Sequence, residues 1–269
     1  MYVWSLLRKT VACVKYPKFT DERGCAFTRD GQHMITITRF AGTDTLSVFA
    51  LASWSLSQSL ALPTTDAQLL ALAHTSDYIA VADSPIEYNV YVYDLSLSLL
   101  KHYAAYSGQL GVRCLAASPT DAFLAIGSHD GRVRALNSIT WDPTFEEHCA
   151  PSLTASPLLA ATVLYQEQFI DGQRTAFKVV PLPVNLPTAL PDSTRTEALT
   201  GVRTVAWSAQ ERYLASVSDT TPCSVWVHDV QNALLTSVCT VMHSITAVAW
   251  DPVRLRLVIC TGQDRVYLW

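Results

Sequence analysis

The side chains able to do chemistry in this chain are few in kind. There are seven histidines, His33, His74, His102, His129, His148, His228 and His243, and no two of them have metal-ligand spacing. The seven cysteines, Cys13, Cys25, Cys114, Cys149, Cys223, Cys239 and Cys260, contain no Cys-x-x-Cys pair, so neither a zinc site nor a redox motif has local support. Most of these cysteines sit in apolar, strand-like runs such as LVIC, which reads as buried, reduced thiols in a cytosolic protein. Glu146, Glu147 and His148 could coordinate an ion, but a solvated acidic turn is the simpler reading. There is no Gly-x-x-x-x-Gly-Lys phosphate loop, no Gly-x-Ser-x-Gly elbow and no His-Glu-x-x-His. No catalytic, metal or cofactor-binding residue is assigned. An enzyme with a site built from scattered His and Asp is the least supported of the functional classes.

The elements that would carry these residues belong to a well-packed chain. Of 269 residues 49 % are hydrophobic and only 16 % charged, a balance that buries a large core and excludes disorder. The net charge is −4 and the Lys and Arg residues are scattered, without the basic stripe of a nucleic-acid binder. No apolar run is long enough to cross a bilayer, and Arg8 and Lys9 follow the first apolar stretch, the wrong order for a signal peptide. Neither nucleic-acid binding nor membrane insertion is expected.

One unit recurs along the chain: an apolar strand, a polar turn, a second strand, a tight turn with Asp, and a third strand ending in a large side chain. It is clearest from Val202 and Ile245, weaker from Gly24 and Val112, and present from Leu69. The ends of the third strands fall at Trp4, Phe49, Tyr93, Leu136, His228 and Trp269, at intervals of 45, 44, 43, 92 and 41. The interval of 92 leaves room for one divergent copy between Asn137 and Leu182. A period of about 40–45 residues with four short strands per unit is the WD-repeat β-propeller signature. The expected fold is therefore all-β, a single propeller domain over residues 1–269 with about six blades' worth of chain, and a divergent blade with a Pro-rich loop at about 137–200.

Local chemistry agrees. Asp30-Gly31, Ser118-Pro119 and Asp251-Pro252 are turn formers between first and second strands, and Asp130-Gly131 marks the turn before a third strand. Asp130, Asp219 and Asp264 read as turn-fixing rather than catalytic, and His243 as a structural histidine bonded inside its blade. Trp207 and Trp250 end first strands and should lie between blades. Binding residues are expected on loops held by the stiff scaffold. The candidates are Tyr16, Lys18, Arg23, Tyr88 and Tyr106, types enriched at interfaces or close to it. Pro181, Pro183, Pro187 and Pro191 should form a partly extended surface loop. The order of strands begins on a third strand and ends on one. Either Thr10–Val14 serves as the outer strand of the last blade, or the chain is a piece of a longer protein; the second reading is preferred.

With the repeats laid out, the sequence resembles the WD-repeat protein 8 family of centrosomal and spindle-pole proteins. The resemblance is carried by VWSL (Val3–Leu6), VKYPK (Val14–Lys18), FTRDG (Phe27–Gly31), YAAY (Tyr103–Tyr106), LAIGSHDGRVRALNSITW (Leu124–Trp141), SVWVHDV (Ser224–Val230) and DPVRLRLVICTGQDRVYLW (Asp251–Trp269). It is weakest through Ala150–Thr200. VKYPK, FTRDG and ICTG lie outside the general WD-repeat consensus. The resemblance implies longer relatives and a non-enzymatic scaffold in the cytoplasm, at the centrosome, microtubule-organising centre or spindle pole. It further implies a coiled-coil anchoring partner, a minus-end-directed kinesin in some organisms, and roles in minus-end anchoring, spindle assembly and cilium formation. The alternative is a generic propeller adaptor in a ubiquitin ligase, vesicle coat or chromatin complex, since one fold hosts many functions.

Overall fold

The computed structural model describes residues 1–6, 9–21, 23–75, 77–156, 159, 161–171, 174–189 and 200–269. They form β-strands and turns, and two compact units, Met1–Asp121 and Ala122–Trp269.

The first unit opens with an antiparallel pair, β1 (Tyr2–Ser5) and β2 (Thr10–Cys13). The Thr10–Cys13 strand is partnered by Tyr2–Ser5, with Tyr2 opposite Cys13 and Ser5 opposite Thr10. Two four-stranded antiparallel sheets follow. One is built from β3 (Cys25–Phe27), β4 (His33–Phe40), β5 (Thr43–Ala50) and β6 (Ser55–Ala61), and the other from β7 (Leu69–Leu72), β8 (Ile79–Ala82), β9 (Val90–Tyr93) and β10 (Leu99–Tyr103). β11 (Val112–Ala117) ends the unit. The middle strands are the buried ones: IAVA and VYVY have no exposed residue, whereas every residue of SLSQSLA but one is exposed. Ile35, Ile37, Leu46, Ile79, Val81 and Tyr93 of the two sheets form one core cluster. β-branched and aromatic residues are concentrated there because both faces of a middle strand meet apolar neighbours.

The second unit begins with the antiparallel strands β12 (Phe123–Ser128), β13 (Arg132–Asn137) and β14 (Pro143–His148). The expected divergent blade then takes another form. β15 (Ser152–Leu153) pairs, over two residues, with a strand that lies beyond a hairpin of β16 (Val163–Asp171) and β17 (Arg174–Val179); that strand is β18 (Val184–Asn185). The regular sheet that follows comprises β19 (Val202–Trp207), β20 (Tyr213–Ser218), β21 (Ser224–Asp229) and β22 (Leu234–Thr240). β16 lies parallel to β22, Val163 opposite Ser237 and Gln166 opposite Thr240, which makes a six-stranded sheet. The segment thus widens its neighbour instead of making a blade of its own. Pro181, Pro183 and Pro187 flank β18, and Leu186 beyond it is buried, its N–H bonded to Pro151 O at 2.8 Å. The Pro-rich stretch is therefore tied down as far as residue 189; Pro191 lies outside the described residues. Three strands close the unit, β23 (Ala247–Trp250), β24 (Leu257–Cys260) and β25 (Val266–Leu268).

A regularity invisible in the sequence appears where third and fourth strands pair. Four of the third-strand end residues, Phe49, Tyr93, Leu136 and His228, each sit at a register shift against the fourth strand. The skipped residues are Ser57, Leu100, Thr144 and Thr236. A bulge repeated at one position bends the outer strand and increases local twist in every one of these sheets.

Candidate protein-binding surfaces

All five loop candidates lie in the first unit, Tyr16, Lys18 and Arg23 on one segment and Tyr88 against Tyr106. The segment Tyr16–Lys18 runs beside β4: Arg39 N–H donates to Tyr16 O and Lys18 N–H to Ile37 O, both at 2.9 Å. Lys18 lies beneath the surface, its side chain only 9 % exposed, and its Nζ is 2.8 Å from Asp44 Oδ2 and 2.6 Å from Asp66 Oδ1. Arg39 pairs with Asp66 and reaches Asp44 at 3.6 Å, while Ala67 N–H donates to Asp44 at 2.7 Å. Burial alone would raise the Asp66 pKa; the Lys18 ammonium, with Gln68 and Arg39, outweighs it and holds the carboxyl below its ordinary value. Lys18 is thus a clamp, not an interface residue. The reason is its setting: the loop it stands on is paired to β4, which turns the ammonium in toward Asp44.

Above this clamp Tyr16 is 57 % and Phe40 64 % exposed, with ring centroids 4.8 Å apart. Tyr16 holds a left-handed backbone, φ 54°, and Ala41 and Gly42 at the tip of the β4–β5 hairpin are also left-handed. Such conformations are costly for non-glycine residues and persist where the surroundings impose them. Arg23 is exposed, bonded to Asp21 at 2.8 Å, and its guanidinium stands 5.0 Å from the Phe19 ring. Tyr16 and Arg23 therefore sit at the surface on either side of the buried Lys18. Tyr88 does not: it is 2 % exposed, with Tyr106 and Tyr103 edge-on at 4.8 and 6.0 Å. Its loop folds back because Gly111 admits it; a Cβ there would stand 2.3 Å from Glu87 O. Tyr106 is half-buried and donates to Leu110 O at 2.6 Å, closing its own loop.

The second unit shows where the turn residues stand. Asp130 Oδ1 accepts from Ser128 Oγ at 2.6 Å and Arg132 N–H at 3.0 Å, and Oδ2 accepts from Arg134 at 2.6 Å. Burial pushes its pKa up, but these donors prevail and lower it. Asp219 accepts an ion pair from Arg203 at 3.3 Å. Asp264 fixes no turn. It is 92 % exposed, and its one ion-pair partner among the described residues is Arg265 at 3.9 Å. Counted from the last paired residues, Asp130 is third in the connection 128–132 and Asp264 fourth in 261–265, so the carboxylate falls outside the turn. His243 is exposed; the histidine inside a blade is His228, fully buried, its Nε2 3.0 Å from Ser216 Oγ and its ring edge-on to Phe145. Burial drives the His228 pKa down to about 3. The difference is one of strand position, since His228 lies in β21 and His243 in the connection before β23. Glu146, Glu147 and His148 lie in β14, not in a loop, and Glu146 is bound to Arg132 at 2.9 Å and Arg134 at 3.3 Å. Among the described residues no three His, Cys, Asp or Glu stand together as a metal site.

Trp207 stacks on Phe123 of β12 at 6.0 Å, and Trp250 on Tyr213 of β20 at 6.5 Å, with its Nε1 donating to Ala206 O at 2.9 Å. Both lie between neighbouring sheets of the unit. A signal the loop reasoning missed is the repeated Gly-Val-Arg at Gly111 and Gly201. A Cβ on Gly201, whose φ is +79°, would meet Ser128 O at 2.3 Å.

The second unit also carries a groove of about 480 Å³ lined by Val163, Tyr165, Phe177, Leu255, Leu268 and Trp269, among others. Tyr267, one of its lining residues, donates from Oη to Glu167 at 3.1 Å, and Glu167 also accepts from Met242 N–H at 3.0 Å. Beside it Phe169, Ile170 and Val179 of the β16–β17 hairpin are 63, 59 and 66 % exposed.

Comparison with known proteins agrees with this architecture. The family profile "WD domain, G-beta repeat" matches residues 98–135, which contain β10 to β12 and most of β13. The chain is 34 % identical over 99 % of its length to the WD repeat-containing protein WRAP73 of Mus musculus, and spans 61 % of that protein. It is 23 % identical over 98 % of its length to an uncharacterised WD repeat-containing protein of Schizosaccharomyces pombe, and spans 54 % of it. Among solved structures, a chain of the crystal structure of the mitotic checkpoint complex superposes over all of this chain and 67 % of its own, with a TM-score of 0.61 at 14 % identity. That likeness speaks to fold alone. With repeat period, antiparallel sheets and these similarities in agreement, the chain is a WD-repeat protein with the β-propeller fold.

Proposed function

We propose that the chain is a non-enzymatic scaffold of a centrosome or spindle-pole complex, helping to anchor microtubule minus ends and to assemble spindles and cilia. Its partners on this reading are a coiled-coil anchoring protein and a minus-end-directed kinesin. The observation that carries the scaffold reading is the exposed Tyr16–Phe40 pair, mounted on a left-handed residue and braced from below by the Lys18–Asp44–Asp66–Arg39 ion pairs. Rigid aromatics that lose little entropy on binding are what protein interfaces use as anchors. The cellular setting rests on the VKYPK, FTRDG and ICTG motifs. VKYPK supplies Tyr16 of this surface and the buried Lys18 of the ion-pair clamp, and FTRDG supplies the turn in which Asp30 accepts from Thr28 Oγ1 at 2.6 Å and from Gln32 N–H at 2.9 Å.

The test is tagged full-length protein followed through mitosis, beside a Tyr16→Ala/Phe40→Ala double variant. Wild-type protein should concentrate at spindle poles and co-purify with a coiled-coil centrosomal protein, and the variant should lose both while keeping its melting temperature. A wild-type protein that stays diffuse, with normal poles after its depletion, would sink the proposal.

A further inference from the structure

β16 joins its sheet by a short seam. It pairs with β22 over Val163–Gln166, opposite Ser237–Thr240, and in parallel, the less stable arrangement per residue. Each side of the seam keeps a ladder of its own. β16 is paired with β17 from Tyr165 opposite Val179 to Asp171 opposite Arg174, and β22 with β21 from Thr240 opposite Ser224 to Leu234 opposite Asp229. The base of the hairpin is tied by β15 and β18, with Leu186 N–H on Pro151 O at 2.8 Å, whether or not β16 is seated. The seam is also polar. Every residue of β21 is buried, whereas within Val163–Gln168 only Leu164 and Glu167 are. The Glu167 side chain is 1 % exposed, with Arg265 4.0 Å away. Burial would raise its pKa; bonds from Thr175, from Met242 N–H at 3.0 Å and from the Tyr267 hydroxyl at 3.1 Å outweigh burial and hold the carboxyl below its ordinary value. Met242 lies just beyond β22, so this carboxylate extends the seam where the backbone pairing stops. Thr162 extends the other end, its Oγ1 donating to Leu235 O at 2.7 Å. Opening the seam breaks these bonds and no ladder, and returns a buried carboxylate to water, which lowers the cost of opening.

We infer that the β16–β17 hairpin is a strap that lifts from β22 as one unit, and that the edge it uncovers takes, in parallel, an extended segment of a partner protein with a carboxylate where Glu167 sits. β16 is itself the pattern for that segment. Leu164 opposite Val238 supplies a buried apolar residue, Tyr165 opposite Cys239 an aromatic one, and Glu167 the acceptor for Met242 N–H. Strand addition of this kind draws affinity from backbone bonds and specificity from side chains at set positions. The strap thereby decides when the edge of β22 is open. The inference stands apart from the Tyr16–Phe40 surface.

The experiment is hydrogen exchange read amide by amide by NMR on the full chain, with peptide binding beside it. The Met242 amide, bonded to Glu167, should exchange about tenfold faster than the amides of β20 and β21. The Val180 amide, bonded to Leu164 O inside the hairpin, should stay slower than Met242. Glu167→Gln should speed Met242 about tenfold, and Thr162→Val about threefold, with β20 and β21 unchanged. A fluorescein-labelled synthetic peptide copying residues 162–169, TVLYQEQF, should bind saturably by anisotropy, one per chain. It should bind the Glu167→Gln chain about tenfold more tightly, and the same peptide with lysine in place of its glutamate should bind about tenfold more weakly. A Tyr16→Ala/Phe40→Ala chain should bind the peptide unchanged, so this inference and the scaffold surface fail separately. Met242 exchanging no faster than β21, Val180 exchanging along with it, no saturable binding, or equal affinity for the lysine peptide would overturn the inference. So would sedimentation as a dimer that the peptide dissociates, because the edge would then take the hairpin of a second copy.

Discussion

His228 makes stability depend on pH in a window few other groups reach. It is fully buried in β21 with its ring against Phe145 and Nε2 at Ser216, and burial lowers its pKa from 6.5 to about 3. The folded state therefore binds the proton far more weakly than the unfolded chain. The stability this represents is fully present above the unfolded pKa of 6.5 and is lost as pH falls through the window toward 3. Each pH unit below 6.5 costs about 1.4 kcal/mol, so the loss between pH 8 and pH 5 is about 2 kcal/mol. Asp130 and Asp229, whose pKa values are lowered, act only below the ordinary carboxylate range. His148, lowered by burial and by Arg132, adds in the same direction, and Glu147, raised by burial, opposes it near its own pKa. Comparison with His228→Leu cancels those contributions. Leucine keeps the volume, and the lost bond to Ser216 costs about 1 kcal/mol at every pH. Urea melts followed by tryptophan fluorescence at pH 8, 6.5 and 5 should show the wild-type advantage shrinking and reversing for wild type against variant. Parallel pH profiles would refute the argument, since His228 would then be protonated in the fold or reached by solvent.

Trp250→Ala should destabilise the chain by about 3 kcal/mol in a chemical melt, because it removes the ring contacts to Tyr213 and Trp269 and the bond to Ala206 O; a loss under about 1 kcal/mol would mean those rings do not pack as described. Lys18→Met should cost about 3 kcal/mol by leaving Asp44, whose side chain is 0 % exposed, without its ammonium, and Asp44→Asn in the same chain should recover part of it. In native protein Ellman's reagent should modify exposed Cys13 promptly and leave Cys239 unmodified, since burial, with Glu167 nearby, pushes that thiol up to about 12; mass spectrometry of the labelled peptides reads the outcome.

The strand ends at Phe49, Tyr93, Leu136 and His228 were legible because a large residue recurs where the third strand meets its bulge. The turn at Asp130 was legible because Asp-Gly is a local signal that needs nothing distant. The divergent segment was not. The apolar stretches LLAATVLYQEQ (158–168) and AFKVVPLP (176–183) read as strands and overlap β16 and β17 only in part, and the parallel pairing of β16 with β22 joins residues far apart in the chain; an apolar alternation says nothing about its partner. Burial of loop residues was hidden for a similar reason. Lys18 and Tyr88 stand in stretches that read as exposed, and only the backbone pairing with β4 and the close approach of Gly111 turn them inward. Asp264 and His243 failed by small offsets in position, which a propensity argument does not see.

The parallel seating of β16 on β22 also fixes an order of events at the ribosome. The hairpin leaves the exit tunnel before any strand of the sheet it joins has been made, because Val163 must wait for Ser237. During that interval its two strands can pair with each other but not with their template, so Phe169, Ile170 and Phe177 stay open to other nascent chains. Glu167, which later takes the Met242 N–H and the Tyr267 hydroxyl, must wait longer still. Slowing translation between residues 180 and 240 should therefore lengthen the time in which this chain needs a chaperone, and speeding it should shorten that time.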